Sequence, residues 1–317
     1  MSPYASSITT LTQKRLRNST DYAELHCITN YSFLRGASHP EELVEQAAKL
    51  GYSAIAITDE CSMAGVVKAH VAAKDCNLKL IVGSEFHLDS NLSRINNAAT
   101  RYTPRGQSTR QAIKNQLGTT QESVHLILLA PNRTAYGQIC NLITIGRRRA
   151  NKGEYQLDLD DLAIAQDQCL AIWLPSSHNH DSPDRRIAEK LSEYFKDRLW
   201  LGAEIFPDGQ ETELYSRVFT LSKELNIPVV ACGDVHMHRK DRKALLDVIS
   251  AIRMGQSIRV AGKLLFSNRE KYLRPLAVLA KTYPEGLLKE SIKIAELCDF
   301  SLDQLRYEYP EELVPPG

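Results

Sequence analysis

Residues 38–60, SHPEELVEQAAKLGYSAIAITDE, decide the fold. Ser38 and Glu41 stand at capping-box spacing, Pro40 falls in the first turn and Gly51 stops the run, so residues 40–50 read as a helix. Ala54–Thr58 then forms a short, continuous apolar run, the pattern of a strand buried on both faces of a parallel sheet. The run stops on an acid, Asp59. The same unit repeats along the chain. Ala23–Cys27, Leu78–Phe86, Val124–Leu129, Cys169–Leu174, Leu199–Ile205 and Pro228–Cys232 are further strands, and residues 63–76, 133–149, 184–196, 210–225 and 239–253 are further helices. Seven such units predict an α/β chain, a distorted TIM-like (β/α)7 barrel whose reactive groups collect at the C-terminal rim of the strands.

Titratable residues sit where these apolar runs stop or start: His26, Asp59, Glu85, His125, Asp234 and His236. Imidazoles and carboxylates gathered on one rim are what a multinuclear metal site for phosphate-ester hydrolysis requires. Other histidines read more plainly. His39 falls in a helix cap, His70 within a helix and His238 at the start of another, all as surface or packing residues. Strand alternation puts His87 on the side of Glu85, with a rim role as the alternative to packing. The run HNHD at 178–181 reads as a polar loop. No glycine-rich phosphate loop, GxSxG or HExxH is present.

With 317 residues the chain is long enough for one such barrel and an extension, and a net charge of +1 gives no global electrostatic case for nucleic acid. The seven cysteines are scattered without a CxxC, several inside apolar runs, as in a reduced, cytoplasmic protein. No apolar run approaches the length of a membrane span. Residues 1–20 read as a disordered leader. Residues 89–121 carry five Arg or Lys and one acid, and read as a polar insertion, with contact to a nucleic-acid backbone as the sharper alternative. Arg147, Arg148 and Arg149 close a helix, where cations favour the dipole, with nucleic-acid binding as the alternative. Residues 254–317 read as a helical extension ending in a proline-rich linker.

At these residues the chain resembles the PHP (polymerase and histidinol phosphatase) domain, and more narrowly the N-terminal part of bacterial error-prone DNA polymerases of the C family. The resemblance rests on YAELHC, the segment from Asn30 to His70, IVGSEF, HLILLAPNRTAYGQICNLIT, VVACGDVHMH and CDFSLDQLRYEYPEELVPPG, in that order. It implies a distorted barrel holding up to three metal ions, with Zn, Mn or Mg as candidates. It also implies ligands at His26, Asp59, Glu60, Glu85, His125, Asp234 and His236. Two positions depart from the pattern: Ile28 replaces a second histidine and Arg35 replaces an acid. Glu60 stands where active members have histidine, and the ligand after the fifth strand falls near Pro175–Ser177, where there is no thiol. A guanidinium about 4 Å from a divalent ion costs about 8 kcal/mol at an effective dielectric of about 20.

The expectation is therefore a degraded site with no metal or partial occupancy, in which Arg35 pairs with Asp59, Glu85 or Asp234. The domain would be structural within a DNA-directed DNA polymerase of damage tolerance. Its partners would be the palm and thumb region in cis, DNA through the parent polymerase, and damage-tolerance accessory proteins. An active phosphoesterase or 3′–5′ exonuclease is the first alternative. A docking module using residues 94–114 and 147–152 is the second.

Overall fold

The computed structural model describes residues 21–89, 123–175, 183–206 and 211–305. Seven strands form one sheet in sequence order: β1 (Ala23–Glu24), β2 (Ala54–Ile57), β3 (Lys79–Asp89), β4 (Ser123–Leu129), β5 (Leu170–Leu174), β6 (Leu199–Ala203) and β7 (Val229–Ala231). The intervening helices are α1 (Pro40–Leu50), α2 (Val66–Asp75), α3 (Arg133–Arg149), α4 (Pro183–Phe195) and α5 (Glu211–Leu225). After β7 come α6 (Lys243–Arg253), the short α7 (Ile258–Ala261), α8 (Leu276–Thr282) and α9 (Glu285–Leu297).

The sheet is not uniformly parallel. β1 to β3 and β5 to β7 pair in parallel, but β4 runs antiparallel to both neighbours. Its N-terminal end therefore lies at the rim where the other strands end, and His125 reaches that rim from the start of its strand. The edges meet through one parallel bridge between Cys27 and Val235, with Ile28 N donating to Val235 O and Val235 N to His26 O. Buried Glu24 ties the same seam by accepting from Gly233 N at 2.8 Å and from the Tyr22 hydroxyl at 3.0 Å.

Alternate strand residues divide between two apolar sets, as a two-residue side-chain period dictates. Ile55 and Ile57 join the larger set with residues of α1 to α4, whereas Ala54 and Ala56 join Ile127, Ile172 and Val230. Helix α9 adds Ile294 and Ala295 to this second set, and its Ser291 hydroxyl accepts from Ala23 N at 3.0 Å. The segment expected as an extension thus shares the barrel's core.

Helix α1 starts one residue later than its capping pattern suggests. Glu42 Oε2 accepts from His39 N at 2.9 Å, and Gly51 at φ 77° terminates the helix. Ser38 instead accepts from His238 N at 2.9 Å. That bond corrects the surface reading of His238, which is only 8% exposed. The leader (1–20), nearly all of the insertion, the HNHD run and the final linker lie outside the described residues. Among the described residues no helix is long and apolar enough to cross a membrane.

Candidate functional site

The ends of β1, β2, β3, β6 and β7 and the start of β4 bring their polar side chains around His26, which is fully buried. Its Nε2 lies 2.6 Å from Glu85 Oε2 and its Nδ1 2.5 Å from Glu204 Oε1, with Asp234 Oδ1 4.0 Å away. His125 Nε2 also reaches Glu85 Oε2, at 3.1 Å. His87 faces His125 across the β3–β4 ladder and stacks on it with ring centroids 4.2 Å apart. Burial and the neighbouring His125 push the His87 pKa down to about 3, so it is neutral.

Arg35 occupies the centre of this acid cluster. Its Nη1 pairs with Glu85 Oε1 and lies 2.6 Å from Glu60 Oε2, and the residue is largely buried. Glu60 is held from its other side by the Tyr155 hydroxyl, which donates to Oε1 at 3.1 Å. Burial alone would raise the pKa of Glu85, but Arg35 and the two histidines hold it well below the usual carboxylate range.

A second cation sits at the other end. Lys271 pairs with Asp234 Oδ2, and His236 Nε2 lies 2.7 Å from Asp234 Oδ1. Burial works against the Asp234 charge, but Lys271 and His236 keep its pKa well below normal. Burial lowers the His236 pKa although Asp234 opposes it, and the ring's Nδ1 lies 3.2 Å from Arg35 O. Asp234 holds a left-handed backbone, φ 44°, uncommon for a residue with a side chain.

The acid–imidazole constellation expected at the strand ends is thus assembled, except at Asp59. Its carboxylate turns into the 29–32 loop and accepts from Thr29 N at 2.8 Å and from Ser32 Oγ at 2.7 Å. These bonds hold the loop that carries Arg35, and Gly65 leaves the space, since a Cβ there would come within 2.6 Å of Asp59 Oδ2. Ile28 is buried and offers only hydrocarbon. Two contributors were missed. Glu204 follows β6 just as Asp59 follows β2, so the strand-end signal was present. Lys271 comes from an irregular segment with no signal of its own.

Arg147, Arg148 and Arg149 stand in the last turn of α3. Arg147 turns inward, donating to Cys61 O and Glu60 O at 3.2 Å and lying over Tyr155, while Arg149 pairs with Asp161 at 2.5 Å. Only Arg148 of the three is exposed without such a contact among the described residues.

Two sets of three offer metal-type donors, His26–Glu85–His125 and His26–Glu204–Asp234. The donor types suit a divalent ion; their spacing and charge do not. Two donors on one zinc ion stand about 3.4 Å apart, whereas His26 meets both acids at hydrogen-bond distances of 2.6 and 2.5 Å. Burial opposes a charged His26, yet Glu204 and Glu85 raise its pKa well above the usual value, and an imidazolium carries no free lone pair. Arg35 and Lys271 already neutralise the central acids. As arranged, these residues do not fit a metal cluster without moving both cations. Above them opens a cavity of ≈640 Å³, walled on one side by Glu60, His125 and Asp234 and on the other by Met254, Leu264 and Phe266.

A family model described as PHP domain matches residues 24–202. The chain is 46% identical over 297 residues to an error-prone DNA polymerase of Methylococcus capsulatus, covering 93% of this chain and 25% of that protein. It is 46% identical over 294 residues to one of Saccharophagus degradans, and 44% identical over 299 residues to one of Pseudomonas syringae pv. tomato. The chain spans about a quarter of the length of these relatives.

Proposed function

Because the chain belongs to the PHP domain family, we propose that it serves as the PHP domain of an error-prone DNA-directed DNA polymerase of damage tolerance, as a scaffold whose hydrolytic centre no longer works. The polymerase reading is supported by identity to the polymerase relatives along nearly the whole chain. DNA synthesis would belong to the remaining three quarters of such a protein.

One observation carries the loss of hydrolysis. Arg35 on Glu85 and Glu60, and Lys271 on Asp234, supply in side chains the positive charge that metal ions supply in a hydrolytic centre. A fixed guanidinium compensates buried acids and holds the rim together. Held between two acids, it does not turn a bound water into a hydroxide nucleophile as a metal ion does. The competing reading, a metal-dependent phosphoesterase, draws on the two surviving donor sets. It requires Arg35 and Lys271 to withdraw.

Elemental mass spectrometry of the chain purified without chelator, paired with hydrolysis of 3′-ended single-stranded DNA, separates the two. Substoichiometric metal and no hydrolysis support the scaffold. Stoichiometric Zn or Mn with hydrolysis abolished by Glu85→Gln replaces it with the phosphoesterase.

A further inference from the structure

Helix α6 is apolar on two sides. Leu246 and Ile249 face inward, packed with Ala37, Met237 and Tyr272. Ala244, Val248 and Ile252 recur every four residues on another side and are exposed, as is Leu245. The exposed apolar character continues through Ile258, Val260 and Leu264, with Ile252 at 57% and Val260 at 69%. Of the fifteen exposed large hydrophobics among the described residues, seven fall between 245 and 266. Single apolar residues on a surface need no explanation, but a contiguous run of this kind marks an interaction face.

Two observations say what covers it. Residues 243–266 lie beyond the PHP match at 24–202, yet a 297-residue alignment within a chain of 317 takes them in wherever it starts. The face therefore belongs to the part of the chain shared with polymerases rather than to the matched PHP region. It is also bordered by exposed Arg259, which has no ion pair among the described residues, while Arg253 at the end of α6 lines the rim cavity. A second copy would bring like charges together, whereas a partner with apolar side chains flanked by acids would meet both features.

We propose that the α6–α7 face, centred on Val248 and Ile252, is the surface on which the rest of the polymerase polypeptide packs, through an apolar patch bordered by acids. This rests on the polymerase reading above. Because Met254, Leu264 and Phe266 also wall the rim cavity, the docked polypeptide would brace the wall of the retired centre.

The test is a full-length polymerase in which this chain replaces the matched quarter of the Methylococcus capsulatus relative, compared with this chain alone by hydrogen exchange. Docking is expected to slow exchange of peptides from 243–261 at least tenfold in the full-length protein. Val248→Asp with Ile252→Asp should then lower the melting temperature of the full-length protein while leaving that of the isolated chain unchanged. An active, folded polymerase with unchanged exchange in α6 overturns the face and leaves the polymerase reading standing. A full-length protein that does not assemble into an active polymerase overturns both. Dimerisation of the isolated chain that the double variant abolishes assigns the face to a second copy, and also overturns the proposal.

Discussion

Arg35→Met keeps an unbranched, flexible apolar stem and removes the guanidinium and its charge. In the native protein the guanidinium contacts Glu85, which is fully buried, and Glu60, which is half-buried. Removing one partner of a buried ion pair costs about 3–5 kcal/mol, chiefly because an uncompensated charge stays behind. Glu85 keeps His26 and His125 on Oε2, so the loss should fall near the lower bound, about 3 kcal/mol. For a chain of 317 residues that corresponds to a fall in Tm of about 4–5 °C. The variant also frees both carboxylates and removes the repulsion, about 8 kcal/mol at about 4 Å, that the guanidinium exerts on a divalent ion. Added Mn or Zn should then restore part of the loss, about 2.7 kcal/mol at a metal concentration of about 100 times Kd. The wild type should gain nothing. Urea and thermal melts with and without metal read all of this, and Arg35→Lys controls for charge without the planar fork. A metal-free Arg35→Met as stable as the wild type, or a wild type stabilised equally by metal, would refute the reasoning.

Glu204→Gln removes the charge that does most to raise the pKa of His26, and should bring that pKa down with little change at His87; NMR titration of the ring carbons checks it. Glu85 and Asp234 have pKa values depressed on folding, so their contribution is present above the ordinary carboxylate range and is lost as pH falls. The part of the stability carried by these two acids should stay level from neutral pH to about 5 and fall below about 4 in urea melts, less steeply in Arg35→Met. Ile28→His with Arg35→Asp should raise metal affinity by restoring a donor and removing the cation. A double variant that binds no more metal than the parent in calorimetry would place Ile28 away from the rim.

Much of the fold is legible in residue order because strands buried on both faces announce themselves as short apolar runs. The run at 54–57 becomes β2 and that at 170–174 becomes β5, each within a residue of its expected bounds. Strand direction is not legible. The period of two in SVHLILL is the same whichever way the strand runs, and only pairing with β3 and β5 makes β4 antiparallel. The candidate site divides likewise. His26, Glu85, His125, Asp234 and His236 were visible because each sits at the end of an apolar run. Lys271 was not, because nothing local marks a lysine in an irregular segment that folds back onto a strand end.

By itself the sequence determined an α/β barrel and the rim on which its polar groups collect. Those follow from residue type and spacing along one chain. What only the tertiary structure decided is how the surviving charges are used. Asp59 faces the 29–32 loop rather than the cluster, Arg147 braces the Glu60 backbone rather than facing outward, and Arg35 and Lys271 sit on Glu85 and Asp234. Ion pairing depends on separations of a few ångströms between residues tens of positions apart, and in a buried site the nearest opposite charge decides whether an acid is a ligand or half of a salt bridge.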